Sequence, residues 1–429
     1  MRDPDPRLPG SRPPTSGTDR TVASIRSSFA DEIAVLRERN YQLLLLSALF
    51  PFLGTSLVSP VLDSLVGPFG ATPTEIGLVV SFFTFPPILT IPLAGLVADR
   101  VGRKPVLVWS LVGFGGGGAA IALTTDFRVV LALRFVQGVA FGGLVPVITT
   151  SIGDAFTGSE EETAQGLRMT VNGISGAALP SLAGALVVVA WQYPFLLYAT
   201  ALPVAAAVYV WFDEPPAIDA SDGPDADSNY LRSLFDLVAN RRVSALLVAR
   251  ALPVVVWISF LTYNSFVVVR ILDGTPFQAG ILVALGNVAF ALSASQTGRM
   301  GSATGGRLVP LVAGNLFLGG GFGGMVLAPT LWAAAAGISV AGVGLGITIP
   351  LYRSILTELA PDHLRGGLVS LSATGPRVLA TATPIILGYV IAIATPVLGF
   401  ASAVQIATLG AAAVGGGGGV VSLAVAYVR

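Results

Sequence analysis

The 429-residue sequence predicts an all-α integral membrane protein, with twelve transmembrane helices arranged as two six-helix bundles related by an internal repeat. Three observations carry that expectation. Hydrophobic residues make up 53% of the chain and charged residues only 11%, where a soluble domain carries roughly 25% charged. No globular interior is large enough for that much apolar surface, so a bilayer must cover the rest. Apolar runs of about 20 residues, the length at which a helix crosses a bilayer, recur along the whole chain. The two halves also repeat each other.

Taken in order, the first six runs lie near 40–66, 75–97, 105–125, 127–150, 163–190 and 192–212. Charges or Gly/Pro/Asp turns bound each one. Six more lie near 243–270, 277–297, 308–328, 330–356, 366–393 and 397–427. Residues 1–39 form an N-terminal tail expected to be mostly disordered, because Met1 to Ser28 is rich in Pro, Arg, Asp and Ser. No apolar segment of signal-peptide type follows its arginines. Residues 29–39 (FADEIAVLRER) suit a short amphipathic helix on the membrane surface. Between the bundles 40–212 and 243–429 lies a linker, 213–242, which opens DEPPAIDASDGPDADSNY. Its acidic, Pro- and Ser-containing composition reads as a flexible tether.

The halves repeat at an offset of 203–204 residues. Pro73 and Gly77 recur as Pro276 and Gly280, and Gly95 and Gly102 as Gly298 and Gly305. Gly138, Gly142 and Pro146 recur as Gly342, Gly346 and Pro350. Asp154 recurs as Glu358, and Pro180 and Gly184 as Pro384 and Gly388. One register held across four helices points to two parallel repeats with a site between them near the midplane. Orientation follows from the basic residues. With the N-terminus inside, nineteen of the 24 Lys and Arg fall on the inner tails and loops, against Arg128 and Arg270 outside. Both termini are therefore expected in the cytoplasm of a plasma-membrane protein.

Composition also excludes chemistries. There is no cysteine, hence no disulfide, thiolate metal site or cysteine nucleophile. The single histidine, His363, forbids a multi-histidine metal centre. Net charge is zero, which gives no bulk attraction to nucleic acid. The glycine runs 115–118, 319–321 and 415–419 lie inside apolar spans without a following Lys-Ser/Thr, so they suit helix packing rather than phosphate binding. No cofactor, metal or enzymatic constellation is expected.

The loop after the second span reads Gly95-Leu-Val-Ala-Asp99-Arg100-Val-Gly102-Arg103-Lys104. Gly95 would let two helices approach, Gly102 would allow a tight turn, and Asp99 near the start of the third span would suit the positive helix end. The segment resembles the GxxxDRxGRK signature of the major facilitator superfamily, and the resemblance covers the membrane part. Arg134-Phe-Val-Gln137-Gly138 is similar to that superfamily's RxxQG pattern. Pro60-Val-Leu-Asp63 resembles the first helix of its twelve-helix drug/proton antiporters. Gly176-Ala-Ala-Leu-Pro180-Ser-Leu-Ala-Gly184 resembles the antiporter GPxxGG motif, with Leu179 and Ala183 where glycines are expected. The second signature loop keeps Gly298, Gly305 and Arg307.

Asp154 and Glu358, at the inner ends of helices four and ten, are expected to pair with Arg103 and Arg307. These pairs would form in the outward-open state and part in the inward-open state. Deep polar residues are candidates for substrate or coupling work, because a charge at the bilayer centre costs at least about 2.5 kcal/mol. They are Asp63, Arg134, Gln137, Asn172, Asn264, Asn287 and Arg377, with Arg250 and Tyr263 nearby. Asp63 is the intramembrane group able to carry a proton. The resemblance implies a monomeric secondary transporter working by alternating access, with proton-coupled efflux of a small organic molecule. The three deep arginines leave open a carrier of an anionic or neutral metabolite. A non-transporting membrane sensor on the same scaffold is a remote third reading.

Overall fold

The computed structural model describes residues 35–214 and 228–427. Among them, twelve helices are long and apolar enough to cross a membrane. We number them α1 (Arg39–Leu65), α2 (Leu78–Val101), α3 (Arg103–Leu123), α4 (Phe127–Ala155), α5 (Ser159–Val189) and α6 (Tyr193–Trp211). The second half holds α7 (Arg241–Ile271), α8 (Pro276–Ala294), α9 (Leu308–Val326), α10 (Leu331–Leu359), α11 (Arg365–Leu398) and α12 (Phe400–Tyr427). Large apolar side chains such as Trp332, Leu123 and Val397 are almost fully exposed on the bundle surface. An apolar girdle of that kind needs lipid to cover it.

The chain's own chemistry shapes these helices. α1 changes pitch at Pro51 and again around Ser59–Val61, where prolines remove backbone donors. α2 and α8 start with the same device. Thr72 donates from its backbone N–H to Glu75 at 2.9 Å, and Thr275 does the same to Gln278 at 2.8 Å. The two bonds sit 203 residues apart, as the repeat requires. Thr72 also holds the exposed Glu75 carboxyl below the usual carboxylate range.

We call the side that carries residue 39 and residue 214 the linker face, and the opposite side the far face. At the linker face Arg39 pairs with Asp213 at 2.5 Å, and Asn40 donates to the Asp213 carbonyl at 2.8 Å. Glu214 accepts from the backbone N–H groups of Arg103 and Lys104 at the start of α3. Here the structure corrects the expectation for Asp99. That residue lies exposed in the last turn of α2, and the carboxylate that caps α3 is Glu214. Gly102 sits at φ 93°, and a Cβ there would run into the Glu214 carboxylate. Gly95 faces open space, so the helix approach expected there is absent.

The described ends of the linker are ordered. Asp213 and Glu214 are docked, and Ser228–Ala239 is a helix whose Leu234, Leu237 and Val238 pack against the second bundle. Residues 215–227 and 1–34, on which the disordered-tail expectation falls, lie outside the described residues, although Val35–Arg37 are helical. The glycine runs serve packing. Gly115 and Gly118 of α3 take Ala201 and Tyr198 of the sixth span, and Gly319 of α9 meets Gly416 of α12 backbone to backbone.

Candidate functional site: a central cavity behind a closed far seam

The bundles meet along a seam in the far half of the molecule. On one side of it, Gly184 of α5 lies against the backbone of Pro276, and Gly280 of α8 lies against the backbone of Pro180. On the other, Gly388 of α11 lies against Thr74, and Gly77 lies against Pro384. Four of the repeated glycines, Gly77, Gly184, Gly280 and Gly388, are therefore among the residues that let the two halves touch. Asp63 at the end of α1 pairs with Arg270 at the end of α7 at 2.5 Å. The Asp63 backbone N–H donates to Ser265 Oγ at 3.1 Å. The Arg270 guanidinium lies 5.3 Å from the ring centre of Phe266 and 5.2 Å from that of Phe400. Deeper in, Ser81 donates to the Thr381 carbonyl, Thr381 to Thr84, and Asn287 to the Gly176 carbonyl. Between these bonds and the linker face, no cross-bundle hydrogen bond or ion pair occurs among the described residues.

On the linker side of that seam lies a cavity of about 400 Å³. Phe52 and Thr55 of α1, Phe83 and Thr84 of α2 and Phe141 of α4 line it. From the other bundle come Trp257 of α7, Asn287 of α8 and Arg377 of α11; Arg168 and Asn172 of α5 complete the wall. The lining is apolar and aromatic with a few polar groups, as ligand sites are. No carboxylate lines it. Asn172 is 8% exposed and its Oδ1 has no partner.

The sequence-marked residues divide between this cavity and other places. Asn172, Asn287 and Arg377 line it, while Asp63 stands at the far seam. Arg134 and Gln137 do not line it, which corrects their assignment to a substrate-facing position. Arg134 is fully buried inside the first bundle, where it donates to the Gly54 carbonyl at 2.5 Å, the Val79 carbonyl at 3.0 Å and Gln137 Oε1 at 2.9 Å. Its guanidinium stacks 4.5 Å from the centre of the Phe83 ring, which itself lines the cavity. Asn264 is likewise buried, donating to the Ala279 carbonyl at 2.9 Å. Arg250 donates to the Ser372 carbonyl.

At the linker face, Arg103 contacts Asp154, and Arg307 pairs with Glu358 at 2.7 Å. Each pair ties two helices of the same bundle. Both are present while the far seam is closed, and neither spans the gap that would have to open. Lys104 stands beside the Glu214 cap and Arg100 in the last turn of α2.

Sequence reasoning missed Arg168, Phe52, Phe141 and Trp257. Arg168 reads as one more inner-loop arginine, because a linear pattern does not reveal that α5 begins beneath the cavity. The aromatics lie in apolar runs with nothing to distinguish them from lipid-facing residues.

Two six-helix bundles around one cavity, closed at one end, form the architecture of a membrane carrier. Residues 44–384 match the model of the Major Facilitator Superfamily, and the chain belongs to that family of membrane transporters, not to an enzyme family. It is a multi-pass membrane protein. Over 150 residues it is 34% identical to the bacillibactin exporter of Bacillus subtilis (strain 168), covering 33% of this chain and 37% of that protein. Over 157 residues it is 27% identical to the quinolone resistance protein NorA of Staphylococcus aureus (strain MRSA252), covering 37% of this chain and 40% of that protein. The chain thus aligns with well under two thirds of either relative. Among solved structures, the nucleoside transporter NupG superposes with a TM-score of 0.74 at 14% identity, over 90% of this chain and all of that one.

Proposed function

We propose that this protein is a secondary transporter of the plasma membrane that exports a small organic molecule by alternating access, in exchange for protons. The observation that carries the reading is the cavity between the bundles, sealed by the far seam and lying on the linker side of it. Such a cavity loads from one face only, and a rocking motion that parts the seam would release its contents at the other. The basic residues favour a cytoplasmic linker face, so the cavity is loaded from inside. Resemblance to two proteins named for export or resistance supports the outward direction. A monomer suffices for the cycle, because both walls of the cavity come from one chain.

Proton coupling rests on Asp63. It is the carboxylate held in the seam, facing Arg270. With the seam parted Asp63 is free to take a proton from the far side, and the returning Arg270 charge displaces that proton toward the linker side as the seam closes again. The reading is tested in reconstituted vesicles with an imposed proton gradient and a pH-sensitive dye inside. Addition of a transported compound is expected to collapse the gradient, and Asp63→Asn to abolish that response while leaving the protein folded. Substrate movement with no proton flux would remove the coupling. No movement of any compound from a panel of cations, neutral molecules and anions would remove the transporter.

A further inference from the structure

We infer that the cavity takes an organic anion with an aromatic body, and that the anion's charge is what allows the linker side of the bundles to close. The inference rests on the transport reading above and names the substrate class for the same cavity.

Charge comes first. Two cations line the cavity, Arg168 from the first bundle and Arg377 from the second, and no carboxylate does. Among the described residues neither has an ion pair. Arg168 donates from Nε to Gln165 Oε1 at 2.9 Å, and Arg377 donates from Nη1 to the Ala373 carbonyl at 3.3 Å. A guanidinium carries five N–H donors in a planar fork that matches a carboxylate. Most of those donors remain open in both residues. Arg250 does not line the cavity, but it is close enough to Arg377 to add to the positive field behind it. A cleft lined by one sign of charge with low-dielectric walls concentrates ligands of the other sign. A lipophilic cation would find the same aromatic faces but would be repelled by both guanidinium groups.

Shape and the remaining polar group complete the description. Phe52, Phe83, Phe141 and Trp257 offer faces and edges on which a flat apolar body can stack. The unpartnered Oδ1 of the buried Asn172 suits a hydroxyl or N–H donor on the same ligand.

The placement of the two arginines adds a mechanism. They stand on opposite bundles, so drawing the linker sides together brings like charges closer. An empty cavity therefore resists closure. An anion between them cancels that cost and is carried along when the bundles close. Cargo therefore favours closure, which disfavours empty cycling in the export direction.

The test uses the full-length protein purified in detergent and three probes of one shape: 2-naphthoate, 2-naphthamide and 2-naphthyltrimethylammonium, titrated by calorimetry. Naphthoate is expected to bind at least tenfold more tightly than the other two. Arg377→Ala and Arg168→Ala are each expected to weaken naphthoate at least tenfold and to leave naphthamide unchanged, with Arg377→Lys intermediate. Asn172→Asp, which keeps the volume and adds a negative charge, should weaken naphthoate as well. Equal affinity for naphthoate and naphthamide would overturn the inference. So would wild-type affinity in both alanine variants, or no naphthoate binding at millimolar concentration. Vesicle transport separates the two readings. Naphthoate binding without its movement breaks the transport reading alone, and movement of the cation but not the anion breaks this one alone.

Discussion

Arg134 shows how a charge deep in an apolar protein is made tolerable. An isolated guanidinium in such surroundings is far too costly to persist. Here its donors reach Gln137 on its own helix and Gly54, Val79 and Tyr198 on three other parts of the first bundle, and its face rests on Phe83. It acts as a tie between α1, α2, α4 and the start of the sixth span. Removing it takes a donor from Gln137 Oε1 and from the Gly54 and Val79 carbonyls, and each unsatisfied buried polar group costs about 1–3 kcal/mol. Arg134→Ala is expected to lower the thermal midpoint of the detergent-purified protein sharply, with Arg134→Lys recovering only part because Lys lacks the fork. An unchanged midpoint would make the network ornamental. The sequence shows that Arg134 and Gln137 belong together, since they stand one helical turn apart. It does not show what they touch, because Gly54 and Val79 join them only after the bundle has formed.

At the scale of elements, the seam explains why certain glycines return at a constant offset. α5 meets α8 through Gly184 against Pro276 and Gly280 against Pro180. α11 meets α2 through Gly388 against Thr74 and Gly77 against Pro384. These are the same two contacts, repeated by the pseudo-symmetry of the fold. At Gly280 an added Cβ would fall on the backbone of Pro180 and Ser181, where no side chain can yield. Gly280→Val is therefore expected to prise the far seam apart and shift the population toward the opposite opening. A cysteine placed at Ser265 in this cysteine-free chain reads that out: its labelling by a membrane-impermeant reagent from the far side should rise severalfold. Labelling that stays at the background level would mean the seam closes by other contacts. The repeat was legible in the sequence through exactly such small residues, but their pairing was not. Gly77 and Pro384 lie 307 positions apart, and nothing in either run names the other. Gly95 carries the same lesson in reverse, as a repeated glycine that faces open space in this conformation.

For the whole molecule, the apolar runs and the 203-residue register made twelve helices in two bundles readable before any coordinates, because bilayer thickness and helix rise fix the length of each run. The cavity was not readable, since its wall is gathered from positions as distant as Phe52 and Arg377 and depends on how the bundles are tilted. That tilt is where the mechanism lies. The within-bundle pairs Arg103–Asp154 and Arg307–Glu358 stiffen each bundle at the linker face, while the cross-bundle bonds found among the described residues sit in the far half. Two stiff bodies joined at one end can only exchange which end is closed. Spin labels at Thr157 and His363 would report the linker face, and labels at Thr125 and Leu327 the far face. Under turnover conditions the first distance is expected to shorten while the second lengthens, with single-bundle control distances unchanged. Changes of the same sign at both faces, or changes within one bundle, would replace rocking with local gating. Asp63→Asn should bias the same two distances in the far-open direction without substrate, because it removes the charge that holds Arg270 across the seam.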